Sequence, residues 1–497
     1  MTIRTPVAVI DMGSNSSRVV VFREDAGHVL EVIADEHVPL QLIRGLDKNG
    51  RLREPVAEKA LGLLRDFRRI AEGAGAGRIH AFGTAALREA ANGAEFVARA
   101  WQESGIRLQL MDGKGEGRVG FLGAVHALPV QNGLVFDIGG GSMQLTRFRH
   151  RRLLRTVSLP LGALRLADEF LHGDPPSPSE VRKLRAHVHR HLAAAKVAAL
   201  ADGDVVVGTG GTARNLAKVD SRRRDYPIPR LHGYDMTVAR LKELTALFLG
   251  RESDERARLP GLNRSRSDSI LAGSILVECV LEACGGKGFL VAGQGMREGV
   301  MLAALGERLA EPPVVRHAAV AAFASRFVAR DQKHALRRKR LALSLYDQLE
   351  PYPDAEWREL LGYAATLLDA GRSIDYYRRL THAAAIIRAS GLSGFTHRGI
   401  AVLSSMVEMA DPEGWDPRRC SPPLTQDDHD ALERSGIVLA LADAIDQRAR
   451  VSARLVVRGR SSGRHFLLRG VGLEDWRDDG LDRRFREAFG RELKTVD

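Results

Sequence analysis

Two stretches of the chain carry the same order of apolar, acidic and small residues. Ile10 to Phe22, reading IDMGSNSSRVVVF, aligns without gaps on Phe136 to Phe148, reading FDIGGGSMQLTRF. In each, an apolar run (Val7 to Ile10; Leu134 to Phe136) leads to an aspartate, a turn of small residues and a second strand. The first return strand, Val19 to Phe22, is continuously apolar, as expected of a strand covered on both faces. In the second, Leu145 and Arg147 alternate with Thr146 and Phe148, a pattern that predicts a half-buried strand. Two copies in the first third of the chain predict two related lobes, each opening on a phosphate-gripping hairpin.

Two further glycine turns follow. VVVGTGGTARNLAKV (Val205 to Val219) and FLVAGQGMREGVM (Phe289 to Met301) each read as a buried strand, a turn and a helix start. Strands are also expected at Arg78 to Phe82 and Arg107 to Met111, alternating with helices, which makes the first part an α/β architecture. After about Leu305 the chain turns to arginine- and alanine-rich helical segments that run to about Arg448. Prolines break them at Pro351 to Pro353 and at Pro422 and Pro423. The end, ARLVVRGRSSGRHFLLR, reads as a hairpin with its loop at Gly459 to Gly463, followed by a short helix.

With 497 residues, the chain is too long for one core, and about three or four domains are expected. A hydrophobic share of 44% with 27% charged residues is ordinary for a globular protein. The opening MTIRTPVAVIDMG runs straight into a strand and lacks the pattern of a signal peptide. The most apolar later stretch, Ala318 to Ala329, is too short to span a bilayer. Cys279, Cys284 and Cys420 suggest neither a disulfide framework nor a zinc site, so a reducing, cytoplasmic location is expected. The balance of 74 basic against 62 acidic residues leaves +12, which favours a polyanionic partner. Aromatic residues make up only 5%, a poor supply for base stacking, so no specific nucleic-acid partner and no membrane is expected.

The chemistry concentrates on the repeated turns. Gly13, Ser14, Asn15 and Ser16 offer backbone N–H groups and side-chain oxygens to a phosphate, because small residues let the main chain come close. Asp11 is placed to hold a hard cation. The copy at Asp137, Gly139, Gly140, Gly141 and Ser142 carries the same equipment, and two such hairpins across a cleft would clamp a metal-bound phosphate chain.

IDMGSNS, FDIGGGS, GTGGT and GMREG together resemble the motif set of the exopolyphosphatase/guanosine pentaphosphate phosphohydrolase family. That resemblance covers essentially the first 305 residues and continues more weakly to the end. It implies two RNase H-like, actin-like ATPase lobes around a cleft (1–125 and 126–305), a helical HD-like domain (306–430) and a small α+β domain (431–497). It further implies a hydrolase that releases terminal orthophosphate from inorganic polyphosphate with Mg²⁺, or Mn²⁺ in its place, as a homodimer. AFGTAALREAANGAEF (Ala81 to Phe96) resembles the family segment with a phosphate-binding arginine, which falls on Arg88. DGKGEGRVGFLGA (Asp112 to Ala124) resembles the segment with the catalytic glutamate, which falls on Glu116. LPGLNRSRSD (Leu259 to Asp268) places Arg266 at a basic phosphate-contacting position. Gly208, Gly210, Gly211 and Thr212 of GTGGT complete the expected phosphate contacts, and Asp11 and Asp137 the metal contacts.

Departures from the family pattern sharpen the expectations. Gly115 stands where the first of two adjacent glutamates is usual, and Gln144 where a glutamate is usual near the metal and water. Glutamine keeps the hydrogen bonding and loses the charge, so slower turnover or an altered metal preference is expected. In the helical region His334 matches a first-ligand position, but Leu368 replaces the histidine beside Asp369, and the companions of His382 have become Tyr376 and Arg379. Leucine cannot ligate a metal, so a working second centre is not expected. Basic clusters at Arg222 to Arg224, Arg337 to Arg340, Arg378 and Arg379, and Arg454, Arg458, Arg460 and Arg464 are read as a track for a long polyanion. Such a track favours processive cutting of long chains. Removal of the terminal phosphate of guanosine pentaphosphate, phosphoryl transfer to ADP, and non-catalytic sensing of polyphosphate are the alternatives.

Overall fold

In the computed structural model, residues 5–25, 29–306, 308–328, 332–411, 415–448, 458–462, 465–469, 476 and 478–496 are described. The chain divides into two compact units, Met1–Asp225 with Leu231–Val315, and Tyr226–Arg230 with Arg316–Asp497.

The first unit opens with β1 (Val7–Met12), β2 (Ser16–Asp25), β3 (Val29–Pro39), α1 (Glu54–Gly73), β4 (Arg78–Gly83), α2 (Ala85–Glu89), α3 (Gly93–Ser104) and β5 (Leu108–Leu110). These strands form one sheet in the order β3-β2-β1-β4-β5. After α4 (Gly113–His126) come β6 (Gly133–Ile138), β7 (Met143–Arg149), β8 (Arg152–Leu159), α5 (Ala163–Phe170), α6 (Pro178–Ala194), β9 (Val205–Thr209), α7 (Gly210–Arg223), β10 (Asp235–Thr237), α8 (Val238–Leu249), α9 (Ser253–Arg256), α10 (Ile270–Cys284), β11 (Gly288–Val291) and α11 (Met296–Leu305). The second sheet runs β10-β11-β9-β6-β7-β8, the order of the first with an added antiparallel edge strand.

The repeat extends to a local irregularity. The register of β2 with β3 shifts between Val21 and Phe22, and that of β7 with β8 between Arg147 and Phe148, the aligned positions. Val19 and Val21 enter the core beneath α1, while Val20 and Phe22 pack with Val9, Phe82 and Met301 on the other face. A strand covered on both sides needs apolar residues throughout, which accounts for its continuous run.

The expectation of a half-buried second return strand is corrected. Met143 to Thr146 of β7 are all buried. The reason is α4, which lies on this strand so closely that a Cβ on Gly117 would come 3.1 Å from Thr146 Oγ1. Thr146 is satisfied there by donating to the Gly117 carbonyl at 3.3 Å, so its polarity does not require water. The helix α10 is buried on nearly every side, and Cys279 and Cys284 lie within it as free thiols.

The second unit holds α12 (Pro312–Phe327) from its Arg316 onward, α13 (Gln332–Leu349), α14 (Ala355–Leu367), α15 (Arg379–Ala389), α16 (His397–Glu408) and α17 (His429–Arg448). A small sheet follows, built from β12 (Arg458–Ser462), β13 (His465–Arg469) and β14 (Glu492–Val496), with α18 (Asp479–Phe489) between the last two. One apolar core joins Leu345, Leu361, Leu403 and Leu439 of the helices to Phe466 and Phe485 of the small sheet and its helix. The terminal hairpin is present, but Gly459 to Ser462 are strand, and Gly463 lies outside the described residues.

The reading of Arg337 to Arg340 as a solvated track is corrected here. Arg337 and Arg338 point inward, and Arg338 is only 2% exposed. Arg338 donates to Asp369 and Asp443, each at 2.7 Å, and Arg379 donates to the same two carboxylates at 3.2 and 2.7 Å. Arg337 pairs with Asp446, which His334 Nδ1 also approaches at 2.8 Å. Lys339 leans over the Tyr363 ring, and Arg340 is exposed. Arg224 is engaged by Asp220 and Glu243, while Arg222, Arg223 and Arg378 are exposed. Arg454 and Arg464 lie outside the described residues. Among the described residues no helix is long and apolar enough to cross a membrane.

Candidate active site

The two repeated turns meet. A Cβ on Gly13 would sit 2.6 Å from the Ser16 carbonyl oxygen, and in the second copy the Gly139 N–H donates to the Ser142 carbonyl at 2.9 Å. Both turns are therefore tight, and small residues are required. They also touch each other: a Cβ on Gly140 would lie 3.0 Å from Asn15 Cβ, and one on Gly141 would lie 3.1 Å from Ser14 Oγ. Ser14 Oγ accepts from the Ala86 N–H at 3.1 Å, which ties the first turn to α2.

Together the turns form two walls of a cavity of about 100 Å³. The N-terminus of α7 forms a third wall, with Gly210 at φ 87 and so close to Asp137 that a Cβ would fall 2.6 Å from Oδ1. Only glycine combines that backbone conformation with that approach. Unpaired N–H groups at a helix start favour anions, and α7 aims its start at this cavity. The start of α11 contributes Gly295, Met296 and Arg297, and the first turn of α4 contributes Glu116.

Glu116 is 3% exposed. Its Oε1 is paired with Arg88 Nη1, which comes from α2, and its Oε2 accepts from Gln144 Nε2 at 3.0 Å. Burial pushes the Glu116 carboxyl up to about 7; the Arg88 guanidinium opposes that rise, and Asp137 and Asp11 add to it. Asp137 is pushed up to about 6, again by burial first, with Arg214 opposing and Asp11 reinforcing. Burial also raises Asp11, against the Arg297 guanidinium that donates to its Oδ2 at 3.1 Å. Three carboxylates and three arginines, Arg214, Arg266 and Arg297, thus share one water-poor cavity. Burial lowers Arg214 to about 10 and lowers Arg266 as well, as expected of cations held away from water.

Most of the expected site residues come together. Asp11, Gly13, Ser14, Asn15, Ser16, Asp137, Gly139, Gly140, Gly141, Ser142, Gln144, Gly210, Gly211, Arg266 and Glu116 all line the cavity. Arg88 reaches Glu116 from behind and donates to the Met111 carbonyl at 2.7 Å, without lining the cavity itself. Gly208 and Thr212 are brought elsewhere. Gly208 lies within β9 of the second sheet, where a Cβ would meet the Phe136 ring at 2.5 Å, and Thr212 packs on Gly273 of α10. Gly115 is accounted for locally: a Cβ there would come 2.8 Å from Asp112 Oδ1, the carboxylate that caps α4.

Sequence reasoning missed Thr84, Arg214 and Arg297. Both arginines lie inside motifs already noted, GTGGTARN and GMREG, within the first five residues of their helices. The available signal was position at a helix start beside a glycine turn.

The donor set fits a hard divalent cation. Asp11 Oδ1 and Asn15 Oδ1 are buried without a hydrogen-bond partner among the described residues. An oxygen left bare in such a place carries a cost of about 1–3 kcal/mol unless something binds it. Oxygen-only donors, two of them carboxylates, suit Mg²⁺ or Mn²⁺ rather than a softer metal.

Comparison with known proteins agrees with this arrangement. Residues 20–308 match the profile of the Ppx/GppA phosphatase family, and residues 315–464 match that of the Ppx/GppA phosphatase domain III. Exopolyphosphatase 1 of Mycobacterium leprae (strain TN) is 31% identical over 300 residues, covering 60% of this chain and 88% of that protein. The crystal structure of the Aquifex aeolicus family member is 28% identical with a TM-score of 0.54, covering 61% of this chain and 97% of that one. A Cytophaga hutchinsonii exopolyphosphatase, at 24% identity and a TM-score of 0.56 over 60% of this chain and 97% of its own, shares the fold. Two sheet lobes of actin-like type, a cavity between their repeated turns and a helical region beyond make the pattern complete: the chain belongs to the Ppx/GppA phosphatase family.

Proposed function

We propose that the protein is an exopolyphosphatase that hydrolyses the terminal phosphoanhydride bond of inorganic polyphosphate in this cavity. One observation carries the reading: a buried carboxyl group pushed up to about 7 stands between two anion-gripping turns. A general base is most effective when its pKa lies near the working pH.

Water attacks the terminal phosphorus while Glu116 takes its proton, and the shortened chain leaves on the bridging oxygen. Arg88 and Gln144 each hold one oxygen of that carboxylate and so fix its direction. Arg214, Arg266, Arg297 and the N–H groups at the start of α7 face the phosphoryl oxygens, where charge must be met as the bond breaks. Asp11 and Asp137 would hold Mg²⁺, or Mn²⁺, which when bound neutralises phosphate charge and aligns the chain.

The second unit is read as HD-like with its metal centre lost. Leu368 is wholly buried in apolar surroundings, and Asp369 is occupied by Arg338 and Arg379. A cytoplasmic homodimer working processively completes the proposal. The test is phosphate release from long polyphosphate, short polyphosphate and guanosine pentaphosphate side by side, with and without Mg²⁺. Preference for guanosine pentaphosphate would move the reading to the nucleotide. ATP formed from polyphosphate and ADP would make the protein a phosphotransferase, and equal inactivity of wild type and Glu116→Ala would make it a sensor.

A further inference from the structure

We propose that a second cavity in the first unit holds the distal part of a condensed-phosphate chain whose end lies at Glu116, an assignment that rests on the polyphosphate reading above. This cavity, about 640 Å³, opens between α4, the β7–β8 turn and the segment after α11. Arg118, Arg149, Arg151, Arg152, Arg308 and Glu311 surround it. Its floor is apolar, made of Phe121 and Leu122 from α4 with Leu153, Leu154 and Leu309.

The arginines are of two kinds. Arg151 is buried and spent on structure: it donates to the carbonyls of Val125, His126, Leu128 and Val130 at 2.9–3.0 Å, and so ties the β7–β8 turn to the end of α4. His150 and Arg151 both have positive φ, 47 and 55, the geometry of a tight two-residue hairpin, so this wall is rigid. Arg149, Arg152 and Arg308 are exposed, and none of their guanidinium groups forms a hydrogen bond or ion pair with a described residue. Glu311, the acidic group of the lining, is engaged by Gln131 at 2.7 Å. Three uncommitted guanidinium groups therefore border one aliphatic surface, open to solvent and able to take an anion.

The shape of that charge selects the ligand. A single monovalent anion would satisfy one arginine, whereas a repeating anion satisfies all three. Phe121 of the floor is 2% exposed and offers no face for a nucleobase, which leaves the single exposed ring of His150 and makes the arginines the main contacts. The position selects the chain. Ser158, at one end of β8, accepts from Gln144 at 3.2 Å beside Glu116, and Arg152 lies at the other end. Six residue steps along the strand separate them, a span of roughly 20 Å. The register break of β7 with β8 falls at this end, and Leu153 and Leu154 both line the cavity as a result. Only a chain long enough to cover that span reaches both places.

The experiment compares wild type with the triple variant Arg149→Gln/Arg152→Gln/Arg308→Gln on tripolyphosphate and on long-chain polyphosphate. The expected result is a KM for the long chain raised about tenfold and less sensitive to salt, with kcat and KM on tripolyphosphate within about twofold of wild type. A long-chain KM that stays within twofold overturns the inference, as does an equal rise for both substrates, which would mean general attraction rather than a held chain. Direct binding of long-chain polyphosphate to Glu116→Gln, with and without the three substitutions, reads the site without turnover: equal affinity sinks it. Absence of phosphate release by wild type would sink the exopolyphosphatase reading instead, and the binding comparison keeps the two failures apart.

Discussion

The active-site cavity and the polar centre of the helical unit are both built from arginines and aspartates or glutamates, yet they solve opposite problems. In the helical unit Arg338 and Arg379 meet Asp369 and Asp443 in a closed set where each charge has an oppositely charged partner at 2.7–3.2 Å. In the cavity the partners are incomplete. Arg297 takes one oxygen of Asp11 and leaves the other bare, and the carboxyl groups of Asp137 and Glu116 are pushed up rather than down. By contrast Asp369 is held below its usual value by Arg338, despite its burial. A neutralised network has nothing left to offer a ligand. A network short of both cations and anions at particular atoms is a binding site.

The largest expected effect comes from removing the base. Glu116→Gln keeps the hydrogen bond from Arg88 but cannot take a proton, and phosphate release should fall by about 10²–10⁴-fold with little change in melting temperature. Retention of more than a tenth of the rate would assign the proton elsewhere. Breaking the closed network should have the reverse profile. Arg338→Met leaves two buried aspartates to share the single guanidinium of Arg379, at a cost of about 3–5 kcal/mol, measured by denaturant unfolding. Survival of full stability would mean that water replaces the guanidinium.

A third prediction separates the two regions by pH. Glu116 has a folded-state pKa of about 7, above the value of 4.5 expected for an exposed glutamate, so its protonated form favours the native state. Its contribution is fully present below the unfolded value and is lost as pH rises through about 7. Stability measured without divalent cations should therefore fall between pH 5 and pH 8, and Mg²⁺ should flatten that slope. Asp369, with its pKa lowered, has the opposite sign and loses its contribution only in acid. A fourth change is smaller. Gln144→Glu replaces a donor 3.0 Å from Glu116 by a second carboxylate, which should move the acidic limb of the pH–rate profile upward and raise turnover at high Mg²⁺. No gain at any metal concentration would count against a catalytic part for this position. The smallest effect is expected at Arg340, which is exposed: Arg340→Ala should change stability by less than about 0.5 kcal/mol and leave the salt dependence of hydrolysis intact.

What the sequence determined by itself was local. An apolar run, an aspartate and a turn of small residues dictate strand, turn and strand over a dozen positions, and the repetition of that order at Asp11 and Asp137 was legible as two lobes with one topology. The glycine turns before α7 and α11 were legible for the same reason. Gly208 and Thr212 were not separable from their neighbours in GTGGT, because alternation along a strand and rotation around a helix send adjacent residues to different faces. Arg337 to Arg340 show the limit most clearly. Four basic residues in a row look alike in sequence, but a helix turns about 100° at each step, so they cannot share one face. Which pair would be buried was decided by Asp443 and Asp446 of α17, more than a hundred positions away, and that pairing exists only in the folded chain.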